Sequence, residues 1–208
     1  MKAWLSPVIL LLSITAVVTS CDEDVETPGP IHSPYASPTA PESLITNLQL
    51  SYRRREIKEY AKLLAPEFSF KFQPLDANAI GTEYWTRDQD STGTRALLTA
   101  TLVSEIRISL LYGPRDTTIN FHGTPLDSLK IRIINTDLQV DQTDGITWLI
   151  TDRQDFFFRL GKAENGEDPT DWFIYEWDDI PTVAAPGLET GGTTTWGNLK
   201  NLYERASK

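Results

Sequence analysis

The chain has 208 residues, 40% hydrophobic and 23% charged, with 29 acidic against 19 basic side chains and a net charge of −10. Such an acidic surface argues against nucleic-acid binding and against lying flat on anionic lipid. Cys21 is the only cysteine, which excludes an intramolecular disulfide and leaves a domain that must hold together through its core.

Residues 1–20 divide into a positive start at Lys2, a mostly apolar run over 8–18, and the small pair Thr19-Ser20. The apolar stretch is shorter than the roughly 20 residues of a spanning helix and is expected to be a cleaved export signal. Val18-Thr19-Ser20-Cys21 resembles the lipobox of bacterial lipoproteins. That resemblance implies cleavage before Cys21 and a lipid on its sulfur, the one strong nucleophile available for a thioether. The alternative is an ordinary secretory signal that happens to contain a cysteine. Loss of Lys2 with the signal leaves 18 basic against 29 acidic side chains, a net charge of −11, so acyl chains would be the membrane anchor. The expected location is a bacterial cell envelope, lipid-anchored and facing the periplasm or exterior.

Residues 21–41 are expected to form a disordered tether. Asp22, Glu23, Asp24 and Glu26 are followed by prolines 28, 30, 34, 38 and 41 among small polar residues, a composition with too little apolar surface to offset ordering entropy. Twenty such residues reach roughly 60 Å at about 3.1 Å each. The acidic run is a solvated segment or a sorting signal, and His32 is a spacer residue. Residues 42–208 have the size of one domain.

Within the domain, Thr39-Ala40-Pro41-Glu42 has the spacing of a capping box. Leu44, Ile45, Leu48 and Tyr52 then recur at helical intervals. Arg53-Arg54-Arg55 is either an anion site or, as expected in a chain this acidic, a solvated junction pairing with Glu56 and Glu59. A second helix through Ile57, Tyr60, Ala61 and Leu64 is ended by Pro66. Residues 67–72 alternate as a half-buried strand with Phe68, Phe70 and Phe72 on one face. A loop leads to Tyr84-Trp85, and a third helix runs from Thr86, with Gln89 three residues on, to about Ala100. Its Gly93 weakens it. Ile106, Ile108, Leu110 and Tyr112 mark a strand ended by Gly113-Pro114. In the strand over 129–141 the apolar parity changes from odd (Leu129, Ile131, Ile133) to even (Ile134, Leu138, Val140), which implies a β-bulge near 133–137 and a bent sheet. Asp144-Gly145 signals a hairpin, followed by Ile146, Trp148, Ile150, Phe156, Phe158 and Leu160 in one phase. The aromatic strand Trp172-Phe-Ile-Tyr-Glu-Trp177 comes last, then a Pro/Gly/Thr loop and a terminal amphipathic helix with Trp196, Leu199, Leu202 and Tyr203.

This order of elements resembles the nuclear transport factor 2-like superfamily. The residues that carry the likeness are Leu48-Gln-Leu-Ser-Tyr52, Tyr60-Ala-Lys-Leu-Leu-Ala-Pro-Glu-Phe68, Asp171-Trp-Phe-Ile-Tyr-Glu-Trp-Asp178 and Thr195-Trp-Gly-Asn-Leu-Lys200. The resemblance implies an α+β fold, with N-terminal helices packed in the concave face of a strongly bent antiparallel sheet, cone-like. It does not fix a function, because the superfamily hosts isomerases, dehydratases, cyclases and binding domains.

Few residues offer chemistry. His122 is the only histidine of the domain and is expected in a loop, so no metal site is expected. No phosphate-binding glycine loop is present, and no cofactor is expected. Asp152 and Gln154 share phase with Trp148 and Phe156, so either they face the cone's mouth or 151–155 is a twisted, exposed segment. Glu176 is a second pocket candidate, and Tyr84 and Trp85 either line the entrance or pack in the core. The expected function is a non-catalytic binding module for a small apolar ligand or an envelope partner. The alternatives are an isomerase- or cyclase-like enzyme using a pocket carboxylate, and a structural role, including a homodimer through the outer sheet face.

Overall fold

The computed structural model describes residues 33–117, 128–180 and 192–208. The export signal, the lipobox with Cys21, His32, His122 and most of the terminal Pro/Gly/Thr loop lie outside the described residues.

One compact unit spans Pro34–Lys208, so it begins before residue 42. The Asn47 side chain accepts from Ala36 N at 2.9 Å and donates to Ala36 O at 2.8 Å. Tyr35 donates to Glu56 at 2.6 Å, and Trp172 N donates to Pro38 O at 2.7 Å. The last residues of the expected tether therefore belong to the domain.

Helix α1 spans Pro41–Arg54. The expected capping box does not form: Ala40 is the N-cap, with no side-chain bond. Pro41 starts the helix instead, since its φ suits the first turn and it has no N–H to leave unpaired. Arg55 ends α1 in the left-handed region at φ 59, and α2 (Ile57–Lys62) follows; it is not ended by Pro66, since Leu64 and Pro66 already belong to the next strand. The arginine junction is not simply solvated. Arg55 donates to the carbonyls of Leu98 and Ala100, at the end of the helix over residues 87–99, and of Val103 just beyond it, at 2.6–2.7 Å.

Strand β1 (Leu64–Lys71) buries Phe68 and Phe70, and Phe72 follows in the same phase. The expected loop after it contains a further helix, α3 (Pro74–Ile80), closed by left-handed Gly81. Strand β2 (Tyr84–Thr86) leads into α4 (Arg87–Thr99), whose Thr86–Gln89 capping box is complete. Gly93 has a steric reason. A Cβ there would lie 2.7 Å from the Trp85 ring, so the low propensity of glycine is offset by helix–strand contact.

Strand β3 (Val103–Asp116) continues through Gly113-Pro114 instead of stopping there. Proline is tolerated because β3 pairs only with β4 among the described residues, and an edge strand has a free N–H side. In β4 (Ser128–Gln142) Leu111 pairs with Asn135 and Tyr112 with Ile133, so Ile134 is the extra residue of the bulge. Leu129, Ile131 and Ile133 face the core before it, and Thr136, Leu138 and Val140 after it. Ile134, placed in the second set by parity, is 51% exposed.

Opposite the bulge the returning strand breaks. β5 (Thr147–Ile150) pairs with residues 138–141 of β4, and β6 (Arg153–Leu160) pairs with residues 128–133. Strand β7 (Trp172–Ile180) lies between β6 and β1, and β8 (Gly192–Thr193) adds to β5. The sheet is curved and mixed rather than wholly antiparallel, because β1–β7 and β5–β8 are parallel. Helix α5 (Trp196–Ala206), capped by Thr195, closes the chain. Tyr52 of α1 and Trp196 of α5 meet edge to face at 5.4 Å, and Trp196 meets Trp177 of β7 at 4.5 Å. The core thus lies between these helices and the inward face of the sheet, each large side chain buried there contributing about 1.5–3 kcal/mol.

Candidate functional site

Two helices carry polar residues inside apolar stripes. On α4 the inward positions are Asp90, Gly93, Thr94 and Leu97, and on α5 they are Trp196, Leu199, Lys200 and Tyr203. Packing α4 on α5 brings Lys200 Nζ to 2.6 Å from Asp90 Oδ1, with both side chains fully buried. Tyr60 of α2 donates to the other oxygen of Asp90. The ammonium is also 4.3 Å from the ring centroids of Phe70 and Trp177. Burial lowers the Lys200 pKa while Asp90 opposes the change. Burial, and then the Asp90 charge, raises that of Tyr60 well above its ordinary value. An ammonium held in this way is a structural ion pair, closed off by aromatic rings.

A second chain of bonds starts from the same tryptophan. Trp177 Nε1 donates to Gln154 Oε1 at 2.6 Å, and Gln154 Nε2 donates to Asp179 Oδ1 at 2.8 Å. Gly197 N, in the first turn of α5, donates to Asp179 Oδ2 at 3.1 Å. The Asp179 carboxyl is pushed up to about 7, mainly by burial, against the bonds from Gln154 and Gly197 and with Asp152 and Asp76 adding to the rise. Asp76 of α3 accepts from Gln73 at 3.2 Å and from the Thr195 hydroxyl.

The structure brings together only part of the set expected from sequence. Gln154 and Phe156 face inward, with Phe156 at 4.6 Å from Trp177. Asp152 is 6% exposed, so 151–155 is not the exposed segment that was one of its two readings. Trp148 is buried on β5. Glu176 alternates with Trp177 and faces the other side of the sheet, 2.7 Å from Lys71; it does not join the inward cluster. Trp85 is core, pressed on Gly93, whereas Tyr84 is 53% exposed. Sequence reasoning missed Asp90, Lys200 and Asp179. Their signals were a charged residue at an inward position of a helical stripe, and for Asp179 the continuation of Trp177's phase along β7.

Outside the cone, α3 and β2 frame a groove of about 600 Å³ walled by Lys71, Phe72, Pro74, Ala77, Asn78 and Tyr84. Phe72 is its apolar floor and Tyr84 its exposed aromatic rim. Lys71 stands 2.7 Å from Glu176 and 3.8 Å from Asp178. Burial pushes the Asp178 carboxyl up to about 6, with Lys71 pulling the other way. Among the described residues no group of His, Cys, Asp and Glu is placed to hold a metal ion, and no helix is long and apolar enough to cross a membrane.

No protein-family model and no curated protein matches the sequence. Solved structures do match in fold. A candidate aromatic ring hydroxylase from Novosphingobium aromaticivorans aligns with a TM-score of 0.53 at 12% identity, over 76% of this chain and 96% of that one. A conserved protein from Planctomyces limnophilus aligns with a TM-score of 0.51 at 10% identity, over 67% and 91%. A nuclear transport factor 2-like superfamily protein from Salmonella enterica aligns at 0.48 and 15% identity, over 70% and 92%. At such identities the likeness is one of fold: a mixed α+β domain with a strongly curved, open sheet.

Proposed function

We propose that the chain is a cell-envelope lipoprotein, held to a membrane by lipid on Cys21, whose nuclear transport factor 2-like domain is a binding module for a small apolar ligand. The observation that carries the reading is the contrast between two places. Inside the cone the polar groups Asp90, Lys200 and Tyr60 are bonded to one another beneath aromatic rings. The groove beside α3 is open, of a volume that suits a small molecule, and offers Phe72 and Tyr84 as apolar surface. A neutral apolar probe, N-phenyl-1-naphthylamine, should brighten on binding the protein. Asn78→Trp, which fills the groove, should weaken that binding at least tenfold, and unchanged binding would overturn the assignment.

A second reading, an isomerase- or cyclase-like reaction at a buried carboxylate, draws on Asp179, which has aromatic neighbours and a carboxyl pushed up to about 7. A base of that pKa suits proton transfer near neutral pH. Gly197 bonds directly to this carboxylate, so catalysis there requires α5 to move first.

A further inference from the structure

We propose that the ligand of the groove beside α3 is an organic cation, an apolar body carrying one ammonium group; this class rests on the reading of the groove as the ligand site. The groove is framed by the β1–β2 hairpin and by α3. Lys71 and Tyr84 are partners in the β1–β2 register, so their side chains leave the same face of the sheet. Phe72 N donates to Glu83 O at 2.9 Å, and Thr82 Oγ1 donates to Tyr84 O at 2.9 Å, which fixes residues 82–84 along the rim. Helix α3, closed by left-handed Gly81, supplies Ala77 and Asn78.

The two charged residues of the lining, Lys71 and Glu83, are not alike. The Lys71 ammonium is held at 2.7 Å by Glu176, whose side chain is 8% exposed, with Asp178 at 3.8 Å. A ligand carboxylate would have to draw that ammonium away and strand a buried Glu176, which costs more than a partly exposed pair returns. Glu83 is exposed and makes no ion pair among the described residues. A cation answers its charge, a neutral ligand leaves it unanswered, and an anion faces it. The neighbouring hydroxyl leans the same way. Thr82 has spent its one proton on Tyr84 O, so its oxygen can only accept. Tyr84 adds a ring that is 53% exposed, and the face of such a ring attracts an ammonium within about 6 Å. Phe72 on the floor meets the apolar body.

Calorimetric titration of the full chain in a neutral detergent at pH 7.5, with titrations into detergent alone subtracted, compares three ligands that share one ring system. They are naphthylmethylamine, which is an ammonium at that pH, naphthalenemethanol and naphthoate. The ammonium should bind about three- to fivefold tighter than the alcohol, the scale of one partly exposed ion pair, and the carboxylate should bind weakest. Glu83→Gln should abolish the preference for the ammonium and leave the alcohol unchanged. Glu164→Gln, at an exposed position between β6 and β7, should leave the preference intact, and Asn78→Trp should weaken all three. Equal affinities, a carboxylate that binds tightest, a preference that survives Glu83→Gln, or one that Glu164→Gln also removes would each overturn the ligand class while the groove stays the site. No binding by any of the three, or affinities indifferent to Asn78→Trp, would overturn the groove and the class with it.

Discussion

The Lys200–Asp90 pair shows what a buried charge does for this fold. Each ion loses its hydration, and the 2.6 Å contact, the Tyr60 bond and the two ring faces restore only part of it. Such pairs add little net stability when intact, but removing one partner strands the other. Lys200→Met should therefore cost about 3–5 kcal/mol in urea titration. Lys200→Met combined with Asp90→Leu should cost less than Lys200→Met alone, the sign of coupling that a double-mutant cycle reads. Asp179 adds a pH dependence. Its folded pKa of about 7 lies above the unfolded value of about 3.9, so the folded state holds the extra proton between them. Its contribution to stability is full below about pH 4 and is lost as pH rises through about 7. Thermal or urea unfolding between these limits should show up to ~1.4 kcal/mol lost per pH unit from this group, and Asp179→Asn should flatten that slope. Both residues were missed although the sequence carried a signal for each, a lysine in an apolar stripe and an aspartate in phase with Trp177. Their partners were not legible, because Asp90 and Lys200 lie 110 residues apart.

The corner between α1 and α2 belongs as much to α4. Arg55 holds a left-handed backbone that costs a non-glycine residue about 1–2 kcal/mol, and its guanidinium bonds two carbonyls at the end of α4 and that of Val103 at the start of β3. Arg55→Gly would relieve the backbone and lose the three bonds. Bonds to a charged group contribute about 1.5–3 kcal/mol each, so the net effect should be destabilising by a few kcal/mol in chemical unfolding. Stabilisation would show that the bonds contribute less than the backbone relief. The three-arginine run gave no hint of this, since the acceptors lie more than 40 residues on and sequence shows only the neighbours Glu56 and Glu59. Where the information was local, it was readable. Parity located the β4 bulge, and Thr86 with Gln89 located the start of α4. Helix α3 escaped because Pro74, Asp76, Asn78 and Gly81 are all turn formers, and Gly113-Pro114 was taken for a strand end because it falls on an edge strand that tolerates it.

At the scale of the whole chain, composition misplaces the start of the domain. Low apolar content suggested that nothing before residue 42 packs. The contacts of 34–40 are mainly backbone bonds to Asn47 and Trp172, which composition does not register. If residues 22–33 form the expected spacer, its reach is about 40 Å at 3.1 Å per residue. If Cys21 carries the anchor, Cys21→Ser should leave a full-length precursor that takes up no labelled palmitate; a lipid-free mature protein starting elsewhere would refute the lipobox. The boundary has its own test. A soluble chain spanning 34–208 keeps the paired bonds between Asn47 and Ala36, the Tyr35–Glu56 bond and the Trp172–Pro38 bond, and a chain spanning 42–208 loses them all. Each is worth about 0.5–1.5 kcal/mol net, part of which is offset by ordering the segment. The longer chain should therefore be more stable by about 1–2 kcal/mol, read by urea midpoint at constant slope. Asn47→Ala should cost the longer chain more than the shorter one, because only there does the amide have its backbone partners. Equal costs in the two chains would mean that Asn47 matters only within α1 and that the domain begins at its first helix after all.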